Sequence, residues 1–270
     1  LHETNGSLYD EFGLFRSHIF SLVRADGAMD LYDGHLRLRD ARGQIVRDDL
    51  ACDDYDSFIR EEVKPWSYMK FPYITELGPA RGWYKVGPLA RVQNCDFIPS
   101  TLAEIERQAF IAHGDGEPIH APLAYHWARM IEMLHAAEVI RSLLDDPDIL
   151  SDKRMAEGPR GREGVGIIEA PRGTLIHHYR VGDDDLVSYC NLIVSTTHNN
   201  QAMNEAVRQV ARRYLDGRQL TEGLLNHIEV AIRAFDPCLS CATHALGKMP
   251  LAVELLDAEG KLLDHASSGG

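Results

Sequence analysis

The chain has 270 residues, 44% of them hydrophobic and 26% charged, with a net charge of −13. That composition supports a buried core, and the surplus of negative charge excludes nucleic acid as a partner, because the field would repel a polyanion. No apolar run reaches the length of a membrane span; there is no signal-peptide pattern, and targeting is not read from a chain that begins at Leu1 rather than Met. Residues 1–100 predict a mixed α/β segment. Within it His35-Leu36-Arg37-Leu38-Arg39 alternates, Asp40 to Gly43 supplies turn chemistry, and Ile45-Val46 returns, which predicts a hairpin over 35–46. Residues 64–97 are rich in aromatic residues, Pro and Gly and read as loops packed by rings.

Helices are expected to dominate residues 101–244. Thr101 with Glu104 reads as a capping box. Pro122 suits a first helical turn, and Leu123, Trp127, Met130, Ile131 and Leu134 follow at helical spacing before Pro147. Strands are expected at Val165–Glu169, Thr174–Val181 and Leu186–Val194, inserted as a block over 165–194, with Gly182-Asp183-Asp184-Asp185 turning the last two. A third helix carries Met203, Val207, Val210, Ala211 and Tyr214 and closes at Gly217. A fourth starts at Thr221, carries Leu224, Ile228, Ala231, Ile232 and Phe235, and stops at Asp236-Pro237. Residues 245–270 form an extension that reads as a hairpin, Leu251–Leu256 and Lys261–Leu263 about a turn at Asp257–Gly260. The fold class expected is mainly α with smaller β-hairpin and sheet elements (α+β).

The five cysteines are Cys52, Cys95, Cys190, Cys238 and Cys241. An odd, scattered set is no disulfide framework, so a reducing compartment, the cytoplasm, is expected. Only Cys238 and Cys241 are close enough to share a site. Two thiols three positions apart can turn to one metal ion, with His244 three further on; thiolates suit nickel, iron, zinc or copper(I). A bare CxxC is equally a buried or incidental pair. A zinc site needs two more good ligands, and there is no second CxxC. A thioredoxin-type pair follows a strand, whereas this one follows a helix.

The run Asp236-Pro237-Cys238-Leu239-Ser240-Cys241-Ala242-Thr243-His244 resembles the C-terminal metal-binding motif of nickel–iron hydrogenase large subunits, and Asp236 through Leu251 looks most like their bidirectional, NAD-linked cytoplasmic group. Glu169-Ala170-Pro171-Arg172-Gly173 resembles the family's EAPRG motif, Asn191 to Asn199 its following strand and turn, and Tyr84-Lys85-Val86-Gly87-Pro88-Leu89-Ala90-Arg91 a further segment. All stand in family order. In that family four cysteines hold one nickel and one iron, the iron carrying carbon monoxide and cyanide, and dihydrogen is split reversibly.

The resemblance implies that Cys238 is a terminal nickel ligand and that Cys241 bridges nickel to iron. It implies that Arg172 and Thr196 hydrogen-bond cyanide, with Pro171, Ser195 and Asp236 around them. Ser195 stands where many relatives have Pro and His198 where many have Trp, departures that fit a cytoplasmic subgroup. His244 resembles a ligand of a magnesium or second iron ion, shared with the Leu192 carbonyl. His177 matches a family position as packing only; His178, His198 and His227 receive no role. The family matures by cleavage after this histidine, here between His244 and Ala245, by a maturation protease, so the extension is expected to hold the site open until nickel is inserted.

The family's other CxxC, an acidic magnesium ligand and a proton-relay glutamate have no match here, so an N-terminal half is expected from elsewhere and this polypeptide alone is expected to be inactive, with an exposed, sticky face. The implied partners are a small iron–sulfur subunit and flavin-containing, NAD-linked subunits. Two other readings remain: a non-catalytic relative like the homologous subunit of respiratory complex I, and a simple zinc-binding module.

Overall fold

The computed structural model describes residues 2–152, 155, 157–217, 219–243 and 251–268. Along the chain, α1 (His2–Glu11) leads to β1 (His18–Val23), β2 (His35–Arg39) and β3 (Ile45–Leu50). A short α2 (Tyr55–Phe58) precedes β4 (Ile59–Glu62) and β5 (Phe71–Ile74); α3 (Gly78–Arg81) and β6 (Tyr84–Lys85) follow, then α4 (Pro88–Asn94). Two longer helices, α5 (Thr101–His113) and α6 (Ala124–Leu144), lead to β7 (Glu163–Ala170), β8 (Gly173–Val181) and β9 (Val187–Ile193). The chain then forms α7 (Ser195–His198), α8 (Asn200–Tyr214), α9 (Glu222–Ala234), α10 (Leu239–Thr243), β10 (Leu251–Leu256) and β11 (Leu262–Ser268).

The described strands make four sheets: β3-β2-β1-β6, β7-β8-β9, and the pairs β4-β5 and β10-β11. This is a mixed α/β arrangement with more sheet than the helix-dominated expectation. The three-stranded and four-stranded sheets face each other across a core, so neither is a minor insertion. Phe20, Leu22, Leu36, Leu38, Tyr84, Ile167, Ile176 and Ile193 fill that core. A larger core lies among the helices and draws on Phe12, Leu89, Phe110, Tyr125, Ile131, Met203, Ile228 and Phe235. Burial of such side chains contributes roughly 1.5–3 kcal/mol each.

The predicted hairpin at 35–46 is present, and β3 extends to Leu50. Its turn is set by Asp40, whose carboxylate accepts from the backbone of Arg42 (2.8 Å) and Gln44 (2.9 Å). The strands at 165–194 are displaced by one or two residues from the expected limits, and β7 pairs with β8 from Glu163 to Ala170. The C-terminal hairpin forms, with its return strand running on to Ser268 rather than stopping at Leu263. It is docked rather than loose: Leu251 and Val253 pack on the helical core, and Asp264 Oδ2 accepts the Leu220 N–H at 2.7 Å.

Three local expectations are corrected. Ser100, not Thr101, is the N-cap of α5; its hydroxyl pairs with His135 Nδ1 (2.7 Å), and Glu104 reaches back to the Ile98 N–H (2.6 Å). The stretch 64–97 contains a helix, α4, started by Pro88 and buried along nearly its whole length. Pro88 presets the first turn, and Leu89, Ala90 and Val92 then turn towards the core. Finally, α6 buries Tyr125, Ala128, Ile131 and His135, while Met130, Met133, Ile140, Leu143 and Leu144 are exposed. The helix is apolar on two sides, and only one is covered here.

Candidate functional site

The site grows from the EAPRG stretch. β7 ends at Ala170 and β8 begins at Gly173, with Ala170 opposite Gly173, so Pro171 and Arg172 form the tip of a two-residue turn. Glu169 fixes the strand end from within. Its Oε1 accepts from Leu22 N–H (2.9 Å) and Thr174 Oγ1 (2.8 Å), and its Oε2 from Arg91 Nη1 (2.8 Å). Burial pushes this carboxyl above its usual range, against the pull of the Arg91 guanidinium. Arg91 remains charged, since it faces two carboxylates, Glu132 and Glu169.

Two glycines let the turn approach α4. Gly87 (φ +92°) caps α4, and a Cβ there would lie 2.8 Å from the Arg172 carbonyl oxygen. Gly173 (φ +133°) lies opposite, where a Cβ would come within 2.8 Å of Gly87 N. Side chains with a Cβ rarely adopt these φ values and would have no room for it. The surrounding contacts are polar and specific. Asn199 Oδ1 accepts the Val86 N–H (3.0 Å), Tyr125 donates to the Val86 carbonyl (2.8 Å), and Ser195 donates to the Gly173 carbonyl (2.7 Å).

The cysteine segment reaches the same place from the other side. α9 starts at Thr221, whose hydroxyl accepts the Leu224 N–H (3.2 Å), and buries Leu224, Ile228 and Ala231. After α9 the backbone turns at Asp236, a non-glycine residue at φ +51°. Arg172 supports this uncommon conformation. Its Nε donates to the Asp236 carbonyl oxygen at 2.5 Å and lies 3.4 Å from the carboxylate. Pro237 follows, and then the Cys238 N–H donates to Thr196 Oγ1 at 3.1 Å. Cys238 precedes α10 and Cys241 lies within it; their Cα atoms are 5.4 Å apart and their sulfurs meet as a disulfide pair. Cys238 is half-buried and Cys241 exposed. Once reduced, two sulfurs that converge in this way present paired soft donors to one ion.

Of the residues singled out from the sequence, Cys238, Cys241, Arg172, Asp236 and Thr196 come together directly. Pro171 precedes Arg172 in the turn, and Ser195 ties α7 to the turn. Leu192 lies on β9 opposite His177. His244 and Ala245 lie outside the described residues. Among the described residues no three His, Cys, Asp or Glu side chains gather into a metal-holding group. Among the described residues the sulfur pair thus stands as two soft donors.

His198, the buried last residue of α7, has Nδ1 2.7 Å from the Tyr84 hydroxyl, and burial lowers its pKa to about 3, so it is neutral. His178, held by Tyr55 and Glu163, and His227, stacked on Tyr214, are packing residues. Sequence reasoning gave no role to Arg91 or Asn199, which it named only as the ends of family-like segments, and it missed Glu132 and Tyr125. A clue was available for Arg91: it is a lone charge in the apolar run Gly87-Pro88-Leu89-Ala90-Arg91-Val92.

A family profile described as nickel-dependent hydrogenase matches residues 42–244. The chain is 46% identical over 268 residues to the NAD-reducing hydrogenase HoxS subunit beta of Cupriavidus necator, covering 98% of this chain and 55% of that protein. It superimposes on an NAD+-reducing [NiFe]-hydrogenase crystallised in its H2-reduced state with a TM-score of 0.86 and 56% identity, over 90% of this chain and 54% of that one. The Ni-Fe-Se hydrogenase of Desulfovibrio vulgaris Hildenborough shares the fold, with a TM-score of 0.62 at 21% identity, over 90% of this chain and 56% of that one. The chain thus spans about half the length of the relatives it matches.

Proposed function

The chain belongs to the nickel-dependent hydrogenase family, and from that premise we propose that it forms the C-terminal part of a catalytic large subunit that oxidises dihydrogen reversibly to protons and electrons. The observation that carries this reading is the meeting of Cys238 and Cys241 beside Thr196 and the Arg172–Asp236 pair. In this reading Cys238 and Cys241 would hold the nickel–iron pair, Cys238 towards nickel and Cys241 towards both metals, and the iron would carry carbon monoxide and cyanide. His244 and the Leu192 carbonyl hold a magnesium or second iron ion.

When bound there, the metal pair would supply the polarising charge that heterolytic cleavage of dihydrogen needs. The chain's own residues supply the setting. The Cys238 and Cys241 sulfurs give negative charge and a place for the departing proton at Sγ. Arg172, fixed by Asp236, presents a guanidinium whose remaining N–H groups suit an anionic ligand such as cyanide. Thr196 already accepts from Cys238 N–H through Oγ1, which leaves its own hydroxyl proton free to donate. Ser195 has spent its proton on the Gly173 carbonyl and acts on the turn instead.

Two thiolates leave both metals short of donors, so the remaining cysteines come from polypeptide beyond this chain, and the chain alone is inactive. We assign coupling to NAD, through a small iron–sulfur subunit and flavin-containing partners, by likeness to the NAD-reducing relative, along with a cytoplasmic location. The docked hairpin β10–β11 is the extension that a maturation protease removes after His244.

The test is elemental and infrared analysis of the full-length protein purified under reducing conditions. Nickel and iron together, with bands from carbon monoxide and cyanide, are expected. Zinc alone, or no metal, would overturn the assignment in favour of the zinc module or the non-catalytic relative. A mature chain that still ends at Gly270 would remove the processing step.

A further inference from the structure

We propose that Arg91 is a positioning residue for Arg172: it suspends the turn that carries Arg172 at the place from which that side chain reaches the cysteine segment. The proposal rests on the hydrogenase reading.

The geometry is that of one planar cation with its donors divided between two tasks. Nε and Nη2 clasp the Glu132 carboxylate at 2.6 Å each, which anchors the guanidinium on α6. Nη1 then donates to Glu169 Oε2 (2.8 Å) and to the Ala170 carbonyl (2.8 Å), and Nη2 donates also to the Pro171 carbonyl (3.3 Å). The last two acceptors are the backbone oxygens of the two residues before Arg172. The Arg172 carbonyl itself lies against Gly87, the N-cap of the same helix that carries Arg91. α4 thus holds the backbone of Arg172 on both flanks and leaves its side chain to engage Asp236.

Arg91 is 1% exposed and the Glu169 side chain 0%. A charged group this deep is tolerated because every part of its fork is matched. A structural clasp of α4, α6 and β7 would need only the two carboxylates. The extra bonds go to Ala170, the last residue of β7, and to Pro171, the first of the turn, and so act where the strand enters the turn. Lysine keeps the charge but places all its donors on one atom, so it cannot hold Glu132 and both carbonyls at once.

The test compares Arg91→Lys, Glu132→Gln, Arg172→Lys and Asp48→Asn in the full-length, metal-loaded protein. Amide hydrogen exchange should quicken across Glu169–Gly173 and at Cys238 in Arg91→Lys while α8 keeps its protection. The infrared cyanide bands should move in the direction seen for Arg172→Lys, and the double variant should move them no further than Arg172→Lys alone, since both act through one side chain. Glu132→Gln loosens the anchor and should give a smaller shift of the same sign, which serves if Arg91→Lys does not fold. Asp48 on β3 accepts from Arg37 Nε (2.8 Å) and Nη2 (3.0 Å) on β2, so Asp48→Asn loosens that hairpin and should lower the melting temperature with no band shift. Unchanged exchange in the turn, or band shifts that simply add in the double variant, would overturn the role of Arg91. Absence of cyanide bands from the wild-type protein would instead overturn the hydrogenase reading, and the exchange experiment would still decide whether Arg91 holds the turn.

Discussion

Replacing Gly173 by alanine tests the close approach on which the site is built. The residue sits at φ +133°, and an added Cβ would lie 2.8 Å from Gly87 N, with Val86 also in the way. Holding a side chain in such a sparsely populated conformation costs about 1–3 kcal/mol. Forcing a methyl group against a backbone that cannot retreat costs about 1–3 kcal/mol more. Gly173→Ala is therefore expected to destabilise by about 2–6 kcal/mol. Gly166→Ala is the matched control: it lies on the adjoining strand β7, and its Cβ would meet nothing within 4 Å. There alanine should stabilise by about 0.5–1 kcal/mol through the unfolded chain. Urea unfolding of the chain resolves the two. At a slope of about 3 kcal/mol per M, a loss of about 4 kcal/mol lowers the midpoint by more than about 1 M. A Gly173→Ala midpoint indistinguishable from wild type, or an equal loss in Gly166→Ala, would refute the argument that contact between Gly87 and Gly173 seats Arg172.

Further outcomes follow from single contacts. Thr196→Val keeps the side-chain volume but removes the acceptor of the Cys238 N–H, and should cost about 1–3 kcal/mol and move the Cys238 amide resonance; an unmoved resonance would contradict the contact. Thr221→Ala removes the N-cap of α9 and should cost about 1 kcal/mol in the same unfolding assay. Burial lowers His120 to about 4 and His198 to about 3. Their unfolded value is near 6.5, so the unfolded chain binds more protons below that pH. The stability they contribute is complete above about pH 6.5 and lost as pH falls through the folded values, about 3 kcal/mol for His120 by pH 4. A flat stability profile between those limits would exclude neutral, buried histidines.

Much of the candidate site's geometry was legible because its residues stand in short, distinctive runs of sequence. The EAPRG turn, the Asp236-Pro237 stop and the paired cysteines stand where the motifs place them, and the alternation at β2 and the cap at Thr221 predict their elements from local physics alone. What was hidden is long-range. Arg91 meets Glu132 and Glu169 across separations of 41 and 78 residues, and nothing near Arg91 names either partner. α4 was missed because Gly87 and Pro88 read as loop punctuation, although Pro at a first helical position is favourable. The core face of α6 was misjudged at Met130 because a helix with apolar residues on two sides offers no single stripe to read. Ser100 holds the N-cap place without a side-chain cap bond: its hydroxyl turns to His135, and the Leu102 and Ala103 N–H groups go to Glu138 on α6, partners that local sequence does not name.

The uncovered side of α6 dictates how the isolated polypeptide will behave in the tube. Met133, Ile140 and Leu144 offer water a row of greasy side chains with no charge between neighbours on that line. Their attraction strengthens on warming and with sulfate and fades on chilling. Preparations should therefore cloud when warmed and clear when cooled, and turbidity should subside once a Lys is placed at Ile140.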